Sequence, residues 1–446
     1  MSKPTFILGL LFAINGISNI TQAVEPPTDF SPRPDEQQLP LAMHSQMNVK
    51  PMIQVGQSEG DIRGNDNRAL QAAVDYVAAL GGGIVRIGPG EYLMHDSLHL
   101  RSGVQVMGSG QETILKKAAG QVVSLGIDGD FGEQQVTLVD KSGFGVGQGI
   151  AIWDDAAGGF HTTVARITGQ SDHTFSIDRP LMADCLVERH AKAGTLYPVV
   201  SGYDLVDVSL SHIVIDGNKE CNAHLNGCRG AGIFLYRAFG TQIQDCQVRN
   251  FNGDGISFQQ SNDVVVTSCT IEGNTELGLH PGSGSQRPTI RNCVSRNNGT
   301  DGLFLCWRVR HGVFENNLLE GNGRFGISIG HKDSDNLLQK NLIRKNNSHG
   351  IFFRNETLGM AAHRNQVIEN TIEDNGAEPG TAAIRVRGET NDLVFTNNQI
   401  RDTRDPKHQT QTVGILLETQ VGLVDLDENE ILANKPIEDQ RGANHP

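Results

Sequence analysis

The chain has 446 residues, of which 37% are hydrophobic and 20% charged, and it carries a formal net charge of −14. The apolar share suffices for a folded core, and the acidic balance argues against nucleic acid as a general partner, which calls for a basic footprint. Its seven Cys are compatible with export without demanding disulfides.

Residues 1–23 read as a secretory signal: Lys3, an apolar run from Phe6 to Ile14, then Thr21-Gln22-Ala23 as a small-residue cleavage site. The run falls short of the roughly 20 apolar residues a membrane span needs. The expectation is a secreted or periplasmic protein with no membrane span once the signal is removed. Residues 24–57 are rich in Pro and polar side chains and are expected to form a flexible leader. Residues 58–120 begin the folded domain. Ala69, Leu70, Ala73, Val74, Val77 and Leu80 fall on one helical face, with Asp66 or Asn65 as N-cap and Gly81-Gly82-Gly83 as the stop. Short strands at 84–87, 98–100, 104–106 and 113–115 follow. Residues 121–200 change pattern, and alternating runs at 136–139, 149–152, 164–167 and 174–177 predict a small antiparallel β insertion. Its Trp153-Asp154-Asp155 and Phe160-His161 either overhang a groove or serve packing and turns within the insertion.

From 201 to 432 one phrase keeps returning. It begins at Gly232, Gly255, Gly278, Gly302, Gly326, Gly350, Ala383 and Gly414, at spacings of 23, 23, 24, 24, 24, 33 and 31. A second ladder runs in step: Cys246, Cys269, Cys293, Asn317, Asn341, Asn370, Asn398 and Asn429. A fixed period in the twenties marks a solenoid, and β-branched residues at period 2 make its elements strands rather than the leucine-rich kind. Asn, Gly and Asp suit the corners because they tolerate left-handed backbone angles. The fold expected is an all-β, right-handed parallel β-helix solenoid with an N-terminal cap helix and a small antiparallel β insertion. The hand follows the general preference of parallel crossovers. Residues 433–446 are expected as a polar tail.

Counting each repeated Gly as zero, positions +1 and +3 are apolar and point inward, so +2 and +4 point outward. Phe304, His280, Arg385, Arg354, Arg387 and Tyr236 share that outward strip, and Trp307, Arg308, His331, Lys332 and Glu356 lie at the strand exits. Arginine presents a planar fork matched to carboxylate or sulfate, so the strip reads as a groove for an acidic polysaccharide. Trp307, Arg308, His331, Lys332, Arg354, Glu356 and Arg387 are the expected substrate-binding residues. The corners before the strands supply Asp254, Asp301 and His349, with Glu276 one step earlier. Cys221 and Cys228 flank a loop and are placed to close a disulfide in an oxidising compartment. No dense Asp cluster makes a metal the expected charge neutraliser, so no cofactor is expected, with Ca²⁺ the candidate should carboxylates from separate coils converge.

Asn67-Arg68-Ala69-Leu70-Gln71-Ala72-Ala73, Pro89-Gly90-Glu91-Tyr92 and Gly108-Ser109-Gly110 resemble the cap and first coils of the pectate-lyase-like right-handed β-helix superfamily. Asp254, Asp301, His349 and Arg385-Val386-Arg387 fall in the frame of polygalacturonase-type glycoside hydrolases, which carry Asp-Gly corners, then Gly-His-Gly, then Arg-Ile-Lys. That resemblance implies catalytic roles for Asp254, Asp301, His349 and Arg385. Here the two Asp lie two coils apart, about 9.6 Å at strand spacing, near the upper limit for an inverting carboxylate pair. Residues 278–350 also resemble alginate C5-epimerases, but the signature Tyr-Gly-Phe-Asp-Pro-His stands here as Leu277-Gly278-Leu279-His280-Pro281-Gly282. His280 in the place of the Asp becomes the candidate base. The resemblances imply a carbohydrate-active enzyme cleaving a uronate or sulfated polysaccharide by hydrolysis or β-elimination. The alternatives are a non-catalytic carbohydrate-binding surface protein and a uronan C5-epimerase.

Overall fold

Each coil turns where a residue takes the left-handed backbone. The computed structural model describes residues 49–442. In it the residue just before each rung of the Cys/Asn ladder has positive φ: 50° at Asp245, 54° at Ser268, 56° at Asn292, 54° at Asn316, 56° at Lys340 and 54° at Glu369. Lys and Glu rarely adopt this conformation. The rung that follows therefore fixes the corner, whatever residue occupies it. Asn341 shows how: its Nδ2 donates to Phe314 O and to Asn370 Oδ1, both at 2.9 Å. Its Oδ1 accepts from the backbone and side-chain nitrogens of Asn317, both at 3.0 Å. A buried amide with every hydrogen bond made stitches one coil to the next.

Among the described residues, three long parallel sheets carry 13, 11 and 11 strands. The sheet built on the repeated phrase pairs Ala231–Tyr236, Asp254–Gln259, Leu279–Gly282, Leu303–Phe304, Ile327–Ile329, Ile351–Phe353, Ala382–Val386 and Val413–Leu417 in order. Its inward ladder of Ile233, Ile256, Leu279, Leu303, Ile327 and Ile351 is fully buried, each side chain contributing about 1.5–3 kcal/mol. Helix α1, Asn67–Ala79, starts at Asp66, whose carboxylate accepts from Arg68 N, and buries Leu70, Ala73, Val74 and Val77 in the same core. No helix among the described residues is long and apolar enough to cross a membrane.

Two strands extend the stack past the limits read from composition. Met52–Gly56, inside the segment expected to be a flexible leader, pairs in parallel with Gly83–Ile87 and buries Val55. Lys435–Asp439, inside the expected polar tail, pairs with Val413–Leu417. Both owe their place to an open sheet edge that supplies backbone partners, so short or charged sequences suffice there. The expected signal at 1–23 and most of the leader lie outside the described residues.

Strands Val122–Ser124, Gln135–Thr137, Gly149–Trp153, Thr163–Ser171, Thr174–Ile177 and Lys192–Gly194 form a six-stranded antiparallel sheet with its own core around Ile150, Ile152, Phe175 and Leu181. A buried lysine ties it to the coils. Lys117 Nζ donates to Thr195 O at 2.9 Å and Asn222 Oδ1 at 2.6 Å and lies 3.9 Å above the Tyr197 ring. Burial pushes its pKa down to about 7.

Candidate active site

The parallel register sets the outward +2 residues side by side. Ser201 pairs with Phe234, Phe234 with Ser257 and Ser257 with His280. Leu279 pairs with Leu303, which sets Phe304 beside His280, and the row continues through Ser328, Phe352, Arg385 and Leu416. The row is not open along its length. Ser201, Phe234, Ser257 and His280 are 2%, 0%, 0% and 3% exposed, while Phe304, Phe352, Arg385 and Leu416 are half-buried and Ser328, bonded by the Arg354 guanidinium, is buried again. The outward face expected to be a continuous groove is therefore covered over its first coils.

At the boundary stands a His–Asp pair. His280 Nδ1 lies 2.6 Å from Asp254 Oδ2, and that carboxylate also accepts from Leu277 N. A carboxylate accepts only, so it holds the imidazole proton on Nδ1 and leaves the lone pair on Nε2. The nearest donor to Nε2 is the Gln259 amide at 3.5 Å, too long for a strong bond. The His280 ring packs edge-on against Phe304, with centroids 5.4 Å apart. On the other side of Phe304 the Arg354 guanidinium sits 4.5 Å from the same ring. Arg354 donates to Ser328 Oγ, Leu305 O and Asp333 Oδ2. Burial pushes Asp333 up to about 7, against the pull of Arg354 and of two backbone N–H groups. The buried Asp333 carboxylate holds Arg354 in place beside Phe304.

The remaining candidates divide by what already engages them. Asp301 is fully buried, and both its oxygens are taken by Arg324 at 2.7 Å. His349 receives an N–H from Arg385 on Nε2 at 3.3 Å and donates from Nδ1 to Ala382 O. Arg385 and Arg387 share the Glu418 carboxylate. The opposite wall is freer. Trp307 is 41% exposed, and its ring packs at a tilt of 32° and a centroid distance of 5.2 Å against His331, whose Nε2 meets Glu356 at 2.8 Å. Burial, then Arg354, holds the His331 pKa below its usual range. Arg308 and Lys332 pair with no carboxylate among the described residues. The structure brings together His280, Asp254 and Arg354, with Trp307, Arg308, His331, Lys332 and Glu356 along one wall. It leaves Asp301, His349 and Arg385 in ion pairs and hydrogen bonds of their own.

Within the insertion, Asp154 is buried and bonds Leu186 N, Ala157 N and Arg189, the packing and turn role. Phe160 reaches the segment that precedes the groove sheet, accepting from Arg229 Nε through its carbonyl. Cys221 and Cys228 are free thiols, so the expected disulfide is not formed. Among the described residues no three His, Cys, Asp or Glu side chains converge where a metal ion could sit. Sequence reading missed Arg324 and His224. The first carries a signal, since it stands two residues before Gly326 and so faces Asp301 on the previous coil. His224 sits in a loop outside the period and carries none.

Three long sheets of parallel strands stacked coil on coil define the class as a right-handed β-helix. The chain belongs to the right-handed β-helix family, whose model, Right handed beta helix region, matches residues 195–336, 231–400 and 306–435, more than half of the chain. The mannuronan C5-epimerase AlgE5 of Azotobacter vinelandii is 23% identical over 334 residues, 72% of this chain and 24% of that protein. Alginate lyase 7 of the same organism is 22% identical over 279 residues, 61% of this chain and 22% of that protein. The chain thus spans less than a quarter of the length of these curated relatives. Among solved structures, the A-module of the A. vinelandii mannuronan C-5 epimerase AlgE4 superposes with a TM-score of 0.54 at 17% identity, covering 88% of this chain and 98% of that one. That likeness is one of fold.

Proposed function

We propose that the chain is an enzyme acting on uronate residues of an acidic polysaccharide, taking the C5 proton and eliminating across C4 and C5. The observation that carries this reading is the half-open Phe304 ring, with the His280 imidazole 5.4 Å from it on one side and the Arg354 guanidinium 4.5 Å from it on the other. A pyranose ring laid on Phe304 turns its C5–H toward a base and its carboxylate toward a cation. His280 Nε2 takes the proton as the C5–H bond breaks. The electron pair forms the C4=C5 double bond, the C4–O bond breaks, and the departing glycosidic oxygen takes a proton from water. Asp254 stabilises the imidazolium so formed, and Arg354 offsets the charge that gathers on the uronate carboxylate. Return of a proton to the opposite face of C5, in place of C4–O cleavage, gives the epimer. Relatives named as a C5-epimerase and an alginate lyase support the substrate class.

Hydrolysis fits less well. It requires a protonated carboxyl within reach of the glycosidic oxygen, and Asp254 is committed to His280 and Leu277 N while both Asp301 oxygens are committed to Arg324. The test is incubation of the purified protein with polymannuronate, polyguluronate and polygalacturonate in deuterated water. Absorbance of the unsaturated uronate, reducing ends and deuterium at C5 are followed together. Absorbance rising with reducing ends is expected. His280→Gln is expected to lower turnover by about 10²–10⁴-fold, the usual worth of a general base, with binding retained. Reducing ends without absorbance would make the enzyme a hydrolase and remove His280 from its role.

A further inference from the structure

The groove has one closed end, and the closure is built rather than incidental. Residues 222–230 cross the outward face of the sheet directly over Asp254 and Ser257. Ser257 Oγ donates to Gly227 O at 2.6 Å, and Gly227 lies so close to Asp254 that a Cβ there would stand 1.7 Å from the carboxylate. Four further ties fix the segment. Lys117 donates to Asn222 Oδ1, and Leu225 N donates to Asn252 O at 2.9 Å. His224 pairs with Glu276 at 3.1 Å, and Arg229 donates to Phe160 O at 2.8 Å. Leu225 is buried in the main core. Behind this wall the outward row is sealed, and in front of it the row is half-open at Phe304, Phe352 and Arg385, with Ser328 between the two Phe covered by Arg354.

We propose that the groove is blind at His280 and that the protein acts on the terminal residue of a uronan, not on its interior. This rests on His280 and Arg354 as the reacting pair. A sugar over Phe304 has the wall on its His280 side and the open floor of Phe352, Arg385 and Arg387 on the other, so only one neighbour in the polymer can be accommodated. The C4–O bond that breaks belongs to the residue that loses its C5 proton. In a 1→4-linked uronan that bond must lead into the open part of the groove for elimination to cut the chain. The residue held at the blind end is therefore the reducing terminus, and the product released is a single unsaturated uronate.

The experiment uses the full chain and monodisperse polyuronates of two lengths, one several-fold longer than the other, with bound protein per chain read by sedimentation. One protein per chain at both lengths is expected. Bound protein that multiplies with chain length overturns the proposal. A second arm reduces the terminal residue to its open alditol. Loss of binding and turnover is expected, while the same chains blocked at the opposite end behave as unmodified. Reduced chains bound and processed as well as unmodified ones overturn the proposal. Turnover is scored apart from stoichiometry. One protein per chain without turnover refutes the proton transfer and keeps the end-on docking. Turnover at sites that multiply with length refutes the docking and keeps the proton transfer.

Discussion

His349 is an ionisable residue whose surroundings forbid its charge. Its ring lies nearly parallel to Phe325 and Phe352, at 5.9 and 5.7 Å, and Arg385 points a guanidinium N–H at its Nε2. Burial first, with Arg385 and Arg387 adding to it, pushes its pKa down to about 4. A histidine held neutral in the fold takes up a proton only when unfolded, over the interval between the two pKa values. Its contribution is intact above the unfolded value and is lost as pH falls from there toward the folded one. From pH 7 to pH 5 the loss is on the order of 2 kcal/mol. His349→Gln keeps a polar side chain and removes the charge. The wild type is therefore expected to lose more of its thermal midpoint than the variant between those two pH values. Parallel losses would mean that the imidazole is not held neutral by the fold.

At the scale of the element, the Asn rungs invite a direct test. Asn341→Ala removes two donated and two accepted hydrogen bonds and leaves Phe314 O and Asn317 N–H buried without those partners. A buried group left unpaired costs about 1–3 kcal/mol, so a loss of roughly 3 kcal/mol in urea unfolding is expected. A solvent-side change such as Lys340→Ala is expected to move stability by less than about 0.5 kcal/mol. Equal effects from both would show that the ladder is not what fixes the corners. The rungs and the strands they join were legible in the sequence because both recur at a fixed offset from the repeated Gly, and a period survives any side-chain detail. The wall over Asp254 was not legible. Its contacts join Gly227 to Asp254, Asn222 to Lys117 and Arg229 to Phe160, none of which shares the period. Asp301 was a different case: its turn position was visible, and so was the Arg324 two residues before Gly326, but that the guanidinium occupies both carboxylate oxygens shows only once the two coils are stacked. His280 was legible as an outward imidazole, and its partner Asp254 as an acid. That one orients the other emerged only once the coils were stacked.

For the stack of coils, most contacts of a coil are with its two neighbours, the reach of Arg354 across two coils to Leu305 O apart, so stability should pass along the solenoid largely as a chain of nearest-neighbour terms. Its two ends differ. Helix α1 covers the first coils with Leu70, Val74 and Val77 fully buried, whereas Leu423, Leu432 and Ile437 at the last coil are 48%, 64% and 46% exposed. Hydrogen exchange is therefore expected to run fastest in Lys435–Asp439 and Val413–Leu417, and slowest in the coils from Ala231–Tyr236 to Ile327–Ile329. A cavity cut into the middle sharpens the expectation. Ile327→Ala removes a fully buried side chain at a cost of about 2–5 kcal/mol. Exchange should then rise in the flanking strands Leu303–Phe304 and Ile351–Phe353, while the antiparallel insertion, which packs on its own core, keeps its protection. Exchange rising equally in the insertion would mean that coils and insertion unfold as one cooperative unit. The wall of residues 222–230 belongs to the coils and not to the insertion, with Leu225 in the main core, so its own exchange is the reading that bears on the groove. Exchange unchanged in 222–230 while it rises in Leu303–Phe304 and Ile351–Phe353 would show that the coils under Phe304 loosen with the blind end still closed, as nearest-neighbour coupling leads one to expect.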